Sequence, residues 1–473
     1  MKTKFFAAAV VVCSLNSFSA DNTIDVESLR RELKELRQRT EQLEKKLEAI
    51  EATSPPAAST TNRTAVAAPP APAPGAAPSP PTTQPWSPSQ PLTLARAGGS
   101  YLNLSMDLLA DVGTSTDPRP EEKLQLADHD PKQRGFTLSG AEIALDGNVD
   151  PYFKGFANIL FKLDSHANTD VELEEAFLQT TSLPGNIQIK GGQMLANFGR
   201  QNSQHAHSWA FVDMPIIMTR AFGPDGLRNP GAQISYLLPT PFFSEASVGI
   251  FNGQSDQAFS FRNLGEDDGS GVNRVHGRAT TDRNLSSVGD LLYVPRLSTS
   301  FDLTESQTLV LGASGAFGPN DTGAHERTEI YGLDAYWKWK PAKSHMGFPF
   351  VSFQTEGLFQ RFGAGEDPLA PIPLPSEDLK DWGFYAQVLW GFHERWVAGL
   401  RGEYASGNSG SFDPNDPFRN DRTRISPNLT FYPSEFSKIR LQYNLDHGQL
   451  VGDEHSVWLQ VEFLIGAHAA HKF

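Results

Sequence analysis

Two histidines in segment 200–230 could bind a metal ion. His205 and His207 are two residues apart, so in an extended chain their side chains point to the same side, where neutral imidazoles can share one ion. Two ligands are fewer than the four that a structural zinc site normally has. The alternative interpretation is therefore that both histidines line a pore or a loop without binding metal.

The same segment combines charged side chains with an apolar stretch. Residues 214–218 read Met-Pro-Ile-Ile-Met, and a purely exposed loop rarely carries such an apolar island. We therefore expect the segment to fold into the interior of the element that carries it and to narrow a pore there. The candidate constriction residues are Arg200, His205, His207, Asp213, Arg220, Asp225 and Arg228.

No catalytic motif accompanies these residues. The sequence contains no G-x-S-x-G elbow, no H-E-x-x-H pair and no glycine-rich phosphate loop. Barrel enzymes with serine and histidine on the wall exist, but no motif selects such a set here. We predict that the protein is not an enzyme and that it uses no cofactor.

Short strands of alternating polarity make up residues 99–473 and must position this segment. In the last strand the apolar Val457 and Leu459 share one face, and the intervening Trp458 and Gln460 share the other, because every second side chain of a strand points the same way. Sixteen candidate strands begin near Tyr101, Phe136, Phe153, Val171, Ile187, Ala232, Ala246, Leu297, Thr308, Glu329, Phe350, Trp382, Trp396, Thr423, Ile439 and Val457.

Short turns alternate with long polar connections between these strands. The long connections are 113–134, 200–230, 253–294, 362–380 and 405–421. This alternation is typical of transmembrane antiparallel β-barrels of the bacterial outer membrane, whose short turns face the periplasm. We therefore predict an all-β fold, a barrel of about 16 strands in residues 99–473. Aromatic residues near inferred strand ends suit a membrane interface: Trp337, Trp339, Trp382, Tyr385, Trp390, Trp396 and Tyr404.

Residues 1–20 have the order of a signal peptide. Lys2 and Lys4 precede the apolar run 5–15, and the small residues of 17–20 follow it as a cleavage site. The only cysteine of the sequence, Cys13, lies in this segment. The exported chain is therefore expected to have neither disulfides nor thiolate chemistry.

A coiled coil and a linker are predicted between the signal peptide and the barrel. Residues 21–51 repeat apolar positions every seven residues, which is typical of a coiled-coil seam; one amphipathic helix lying on the barrel or the envelope is the alternative. Residues 52–98 are rich in proline and alanine and are expected to be an extended, disordered linker. The seam positions are Val26, Leu33, Thr40 and Leu47, alternating with Leu29, Leu36, Leu43 and Ile50.

The net charge and the terminal residue indicate which partners to expect. The formal charge of −15 becomes −17 without Lys2 and Lys4, and residues from 99 onward hold 29 basic and 46 acidic side chains. Nucleic acid is not an expected partner, because phosphate binding needs clustered positive charge. The expected partners are outer-membrane lipid and the outer-membrane assembly machinery, for which the terminal Phe473 would be the signal.

Three stretches resemble bacterial outer-membrane porins of the phosphate-selective porin O/P type. They are VELEEAF at 171–177, GGQM with FGR within 191–200, and GLRNPGAQ at 226–233. Relatives with a coiled-coil front are often labelled zinc-regulated outer-membrane receptors. The resemblance covers residues 135–473 and implies a sixteen-stranded, usually homotrimeric, water-filled barrel. Phosphate selectivity in that family implies dense lysine and arginine clusters, whereas no lysine occurs here between Lys190 and Lys338.

These features favour a porin-like channel for passive diffusion of small hydrophilic or ionic solutes. One alternative is uptake of a divalent metal such as zinc through His205 and His207. Another is a structural tether, in which the periplasmic coiled coil binds the cell wall or a periplasmic partner and the barrel is the anchor. The acidic excess predicts a weak cation preference if the segment's arginines point outward or pair with Asp213 and Asp225. Unpaired in the lumen, they would favour anions, since only charges within a Debye length of about 8 Å act on a passing ion.

Overall fold

The computed structural model describes residues 92–163, 168–267, 269, 271–414 and 419–466. The predicted signal peptide (1–20), the coiled coil (21–51) and the linker up to residue 91 lie outside the described residues, as does Phe473. The expectations for those segments therefore stay predictions.

Within the described residues the chain is mainly β-strand, and the strands form two sheets. The strands are β1 (Leu92–Ala97), β2 (Ser100–Ser115), β3 (Gly135–Asn148), β4 (Phe153–Leu163), β5 (Thr169–Thr180), β6 (Ile187–Leu195), β7 (Arg228–Leu237), β8 (Phe243–Phe251), β9 (Glu266–Asp267), β10 (Asn273–Val275), β11 (Arg278–Ala279), β12 (Leu292–Thr304), β13 (Gln307–Pro319), β14 (Arg327–Trp339), β15 (Phe350–Ala364), β16 (Glu377–His393), β17 (Trp396–Gly407), β18 (Arg422–Ser434), β19 (Ser437–Gly448) and β20 (Gly452–Ile465).

Sixteen of these strands, β2–β8 and β12–β20, close into an antiparallel barrel. Each strand pairs with the next one along the chain, β8 pairs with β12, and β20 pairs with β2. Closure leaves every barrel strand with two neighbours, so no unpaired edge remains in the ring. The predicted sixteen-stranded barrel is confirmed, and each predicted strand coincides with one observed strand. The short strands β9–β11 form a separate three-stranded sheet in the connection between β8 and β12.

One strand lies in residues predicted to be linker. β1 pairs with the start of β2, and the two-residue turn Gly98-Gly99, with Gly98 at φ +62°, joins the two strands. Turns of this length favour glycine because they need positive φ. Among the described residues the sheet therefore begins at Leu92 rather than at Gly99. The sequence did not indicate this strand, because six residues beside a proline-rich segment show too little alternation to be recognised.

The barrel wall is apolar outside and polar inside. In β20, Val457 and Leu459 are 40% and 37% exposed, whereas Trp458 and Gln460 are at most 1% exposed. An outward apolar band with an inward polar row is the pattern of membrane-spanning barrels. Of the aromatic residues predicted at the interface, Tyr385 is an exception. Its side chain is fully buried and its hydroxyl donates to Glu356 Oε1 (2.6 Å), because position 385 lies on the inward row of β16.

Two of the long connections fold back into the barrel from the end opposite the short turns. The connection after β2 contains a short helix, α1 (Pro120–Lys123), and the one after β6 contains α2 (Ile216–Phe222). None of the helices in the described ranges is long and apolar enough to span a membrane. α2 packs against the inner faces of β15, β16 and β17.

An apolar cluster around α2 occupies part of the lumen. Met218 and Phe222 of α2 are buried, and the Phe222 ring meets the Phe198 ring edge-on with centroids 4.9 Å apart. Gly332 on β14 allows this approach, since a Cβ at that position would lie 2.7 Å from the Phe198 ring. The folded connections therefore have their own packed core inside the ring of strands.

Candidate functional site

Segment 196–227, which joins β6 to β7, is bonded to inward-facing residues on β15 and β19, which lie on the far side of the ring from β6. The backbone N–H groups of Arg200 and Gln201 donate to the Glu356 carboxylate on β15 (3.0 and 2.7 Å). Further along, Val212 N–H donates to Gln442 Oε1 on β19 (3.0 Å). The structure therefore places this segment across the lumen. That its side chains form the narrowest point of a conducting pore stays a prediction.

Asp213 is the most heavily bonded of the candidate residues. It is fully buried and forms an ion pair with Arg401 of β17 and a second with Arg424 of β18 (3.1 Å). Gln442 and Asn444 of β19 also donate to its carboxylate (3.0 and 2.7 Å). Burial alone would raise the pKa of Asp213, but the two guanidinium groups outweigh it and lower the pKa to about 2. Asp213 therefore stays ionised and ties the segment to three strands.

The three arginines predicted at the constriction lie in different surroundings. Arg200 stacks over the Tyr336 ring, with its guanidinium carbon 4.2 Å from the ring centroid. Arg220, on α2, donates to the Asn420 carbonyl (2.6 Å). Arg228, at the start of β7, pairs with Glu172 of β5. None of the three pairs with Asp213.

Asp225 joins the segment to β4. Its carboxylate lies 3.6 Å from Arg228 and 3.7 Å from Lys162 of β4, which also pairs with Glu172 (3.1 Å). Burial and the neighbouring Asp128 raise the pKa of Asp225 to about 8. Of the pairs considered from sequence, Arg228 and Asp225 thus lie close together, but with this pKa Asp225 is largely protonated at neutral pH.

A row of basic side chains on the barrel wall was not recognised from sequence. Arg422 and Arg424 alternate on β18, and Lys438 and Arg440 alternate on β19, all facing inward and almost fully buried. Cations at every second position, separated by residues such as Thr423 and Ile439, were the available signal, since alternation marks one face. Their counter-ions on the same walls include Asp446, which pairs with Arg422 and Arg424, and Glu462, which pairs with Lys438.

The two histidines lie against an acidic wall formed by β2, β3 and β5. His205 Nδ1 is 2.9 Å from Glu174 Oε2, and His205 Nε2 is 3.0 Å from Glu175 Oε2. His207 Nδ1 is 2.9 Å from Asp107 Oδ2 and 3.5 Å from Glu142 Oε2. These four carboxylates were missed from sequence.

Consecutive glutamates can both face the lumen because β5 has a bulge. Asn158 of β4 pairs with Glu175, whereas the next residue, Ile159, pairs with Leu173, so Glu174 is the extra residue. A bulge of this kind turns an additional side chain toward one face. Both glutamates are 6% exposed.

The carboxylates also alter the charge state of the histidines. Burial alone would lower the pKa of His207, but Glu142 and Asp107 outweigh it and raise the pKa to about 10. In the same way the pKa of His205 lies well above its usual value, mainly because of Glu174. Without a bound cation both imidazoles are therefore protonated at neutral pH.

Two cavities reach this region. A cavity of about 640 Å³ extends from Tyr101 and Asn148, near the short-turn end of the barrel, to Glu175 and His205. A smaller one of about 220 Å³ is lined by Arg200 together with Glu245 of β8, Arg296 of β12 and others. Side chains of both charges line these cavities.

Comparison with known proteins gives one clear relative. No family model matches the chain. An uncharacterized protein of Aquifex aeolicus strain VF5 is 32% identical over 361 residues, which is 72% of this chain and 71% of the relative. Among solved structures, the outer membrane channel DcaP of Acinetobacter baumannii has a TM-score of 0.52 at 12% identity over 78% of this chain and 99% of its own. A trimer form of OmpT from Vibrio cholerae has a TM-score of 0.45 at 8% identity over 77% and 99%. The chain therefore belongs to the same family as the Aquifex aeolicus protein, and its barrel has the fold of an outer-membrane channel.

Proposed function

We propose that this protein is a passive channel of the bacterial outer membrane for small hydrophilic or ionic solutes. The observation that carries the proposal is the closed ring of sixteen strands with a polar inner face. Barrels of about this strand number enclose more space than their wall side chains fill, whereas barrels of about eight strands are filled by them. The outward apolar band supports the membrane location.

The test of this proposal is conductance. Full-length protein, purified in detergent and shown to be folded by its heat-modifiable gel mobility, is added to planar lipid bilayers. We expect stable current steps in potassium chloride. Folded protein that inserts into vesicles but gives no current steps would contradict the channel function.

We further propose that the channel prefers cations weakly. Arg228 is paired with Glu172, Asp446 pairs with Arg422 and Arg424, and Glu462 pairs with Lys438, so part of the lumen's positive charge is balanced. The cavity at the short-turn end has Asp146 and Glu175 in its lining. The resemblance to phosphate-selective porins favours anion preference instead. That preference would require Arg200, Arg220 and Arg228 to outweigh the carboxylates that line the lumen.

Replacing Asp146 with asparagine is expected to shift the reversal potential toward anion preference. Asp146 lines the cavity that an ion entering from the short-turn end meets, and charges within about 8 Å act on that ion. The reversal potential is measured across a potassium chloride gradient. The matched control is the double substitution Glu266→Gln and Asp267→Asn in the exposed strand β9, which should leave the potential unchanged. Clear chloride preference that disappears when Arg200, Arg220 and Arg228 are changed to alanine would overturn the cation preference.

The homotrimer implied by the porin resemblance also stays a proposal. The mass of the detergent-solubilised complex, measured by light scattering with the detergent contribution subtracted, is expected to equal three chains. A mass of one chain under conditions that preserve conductance would exclude an obligate trimer.

A further inference from the structure

Six side chains with oxygen or nitrogen donors converge where segment 196–227 meets the acidic wall. Five of them form two sets that share Glu142, and in each set one donor atom of every residue lies within 4.8 Å of the others. We propose that this cluster binds divalent transition-metal ions, one in each set, and that the ions join the segment to the barrel wall. The first set is Asp107, Glu142 and His207, the second is Glu142, Glu174 and His205, and Glu175 adjoins the second.

The chemistry of the donors suits such ions. Each set offers one imidazole and two carboxylates, and zinc sites with three protein ligands keep a fourth position for water. The imidazole rings of His205 and His207 are nearly parallel, 6° between planes with centroids 5.7 Å apart. Their Nδ1 atoms lie 3.9 and 3.5 Å from the same Glu142 oxygen. A carboxylate shared between two ligand sets is typical of sites that hold two ions about 3.5–4 Å apart.

His205 lies between two carboxylates, where a metal ion can replace a ring proton. Its two ring nitrogens lie 2.9 and 3.0 Å from carboxylate oxygens, and without a metal ion both nitrogens carry a proton and donate to them. A metal ion on one nitrogen takes the place of that proton, so zinc and protons compete for this position. In addition, Asp107 Oδ1 is buried and accepts no hydrogen bond from the described residues. Buried carboxylate oxygens rarely lack a partner, so this atom indicates that the cluster has room for a further ligand.

Neighbouring side chains orient the donor atoms, and a cavity gives an ion access to them. Asn158 Nδ2 donates to both Glu142 Oε2 and Glu174 Oε2 at 2.7 Å. Outer partners of this kind hold metal-binding carboxylates in place. The cavity of about 640 Å³ ends at His205 and Glu175, so an ion can reach the second set from the short-turn end. Binding would connect the segment to β2, β3 and β5, in addition to the Asp213 ion pairs with β17 and β18.

The test uses the full chain in detergent, freed of metal with a chelator, and zinc chloride alone as the probe. Isothermal titration is expected to show binding of up to two zinc ions per chain, and zinc is expected to raise the temperature at which the heat-modifiable band is lost. Cobalt chloride should give visible absorption bands typical of imidazole and carboxylate coordination. Binding is measured without a membrane, so a protein that conducts no ions could still bind zinc, and the two proposals fail separately.

Two variants decide whether the ions bind at this cluster. The double variant His205→Ala and His207→Ala should weaken zinc binding by at least the 10–100-fold that loss of a single outer partner causes. Glu142→Gln keeps the size of the shared side chain and should also lose most of the binding, which separates a ligand role from misfolding. The control is the double variant His345→Ala and His447→Ala, since these side chains are 76% and 71% exposed far from the cluster. Folded wild-type protein that binds no zinc, or binding that both cluster variants leave unchanged, would overturn the proposal and leave a network of protonated histidines.

Discussion

Replacing Asp213 with alanine is expected to release segment 196–227 from the wall and to increase the single-channel conductance. The substitution leaves Arg401 and Arg424 buried with one counter-ion fewer and removes the acceptor for Gln442 and Asn444. Removing one partner of a buried ion pair costs about 3–5 kcal/mol. The segment can avoid that cost by moving away from β17–β19, which widens the lumen. Single-channel recordings should therefore show larger and noisier current steps than those of the wild type.

Asp213→Asn is the matched variant for this experiment. It keeps the size of the side chain and one acceptor oxygen for Gln442 or Asn444 but removes the charge that pairs with Arg401. An intermediate conductance is expected, because hydrogen bonds without the ion pair hold the segment less firmly. Equal conductance of wild type and Asp213→Ala, in protein shown to be folded, would mean that Asp213 does not hold the segment in the conducting state.

Replacing Leu333 with arginine is expected to impair insertion of the barrel into lipid. Leu333 lies midway along β14, is 70% exposed and points outward, while its neighbour Asp334 points inward and is 5% exposed. An arginine at the middle of the lipid-facing surface of a membrane barrel costs about 2–4 kcal/mol. Urea unfolding from phospholipid vesicles should show a loss of stability in this range.

Leu303→Arg is the control for the lipid-facing substitution. Leu303 is also exposed, at 52%, but lies next to the short turn between β12 and β13. Close to the membrane interface the cost of arginine falls to about 0–1 kcal/mol. Equal effects at the two positions would show that depth in a membrane does not govern the cost, contrary to a membrane-spanning wall.

The strands, their faces and their turns could be predicted from the sequence by itself. Alternation of apolar and polar side chains is a local property, because the backbone geometry of a strand sends successive side chains to opposite faces. Val457 and Trp458 therefore reveal their faces without knowledge of their neighbours. The alternation failed where it was too short, as at β1 and β9–β11, and where one residue was inserted, as at the bulge of Glu174 and Glu175. The apolar run 214–218 likewise indicated that these residues need an interior to pack in.

Only the tertiary structure decided which side chains meet inside that interior. Asp213 lies 188 residues before Arg401 and 231 before Asn444 along the chain, and no local pattern relates them. The same holds for His207, whose partners Asp107 and Glu142 belong to β2 and β3, far from His207 in the sequence. Closing the barrel brings inward rows from distant strands around one segment, and their charges then determine each other's partners through distance and burial. Sequence could therefore name the histidines as possible ligands, but the carboxylates beside them follow only from the closed ring.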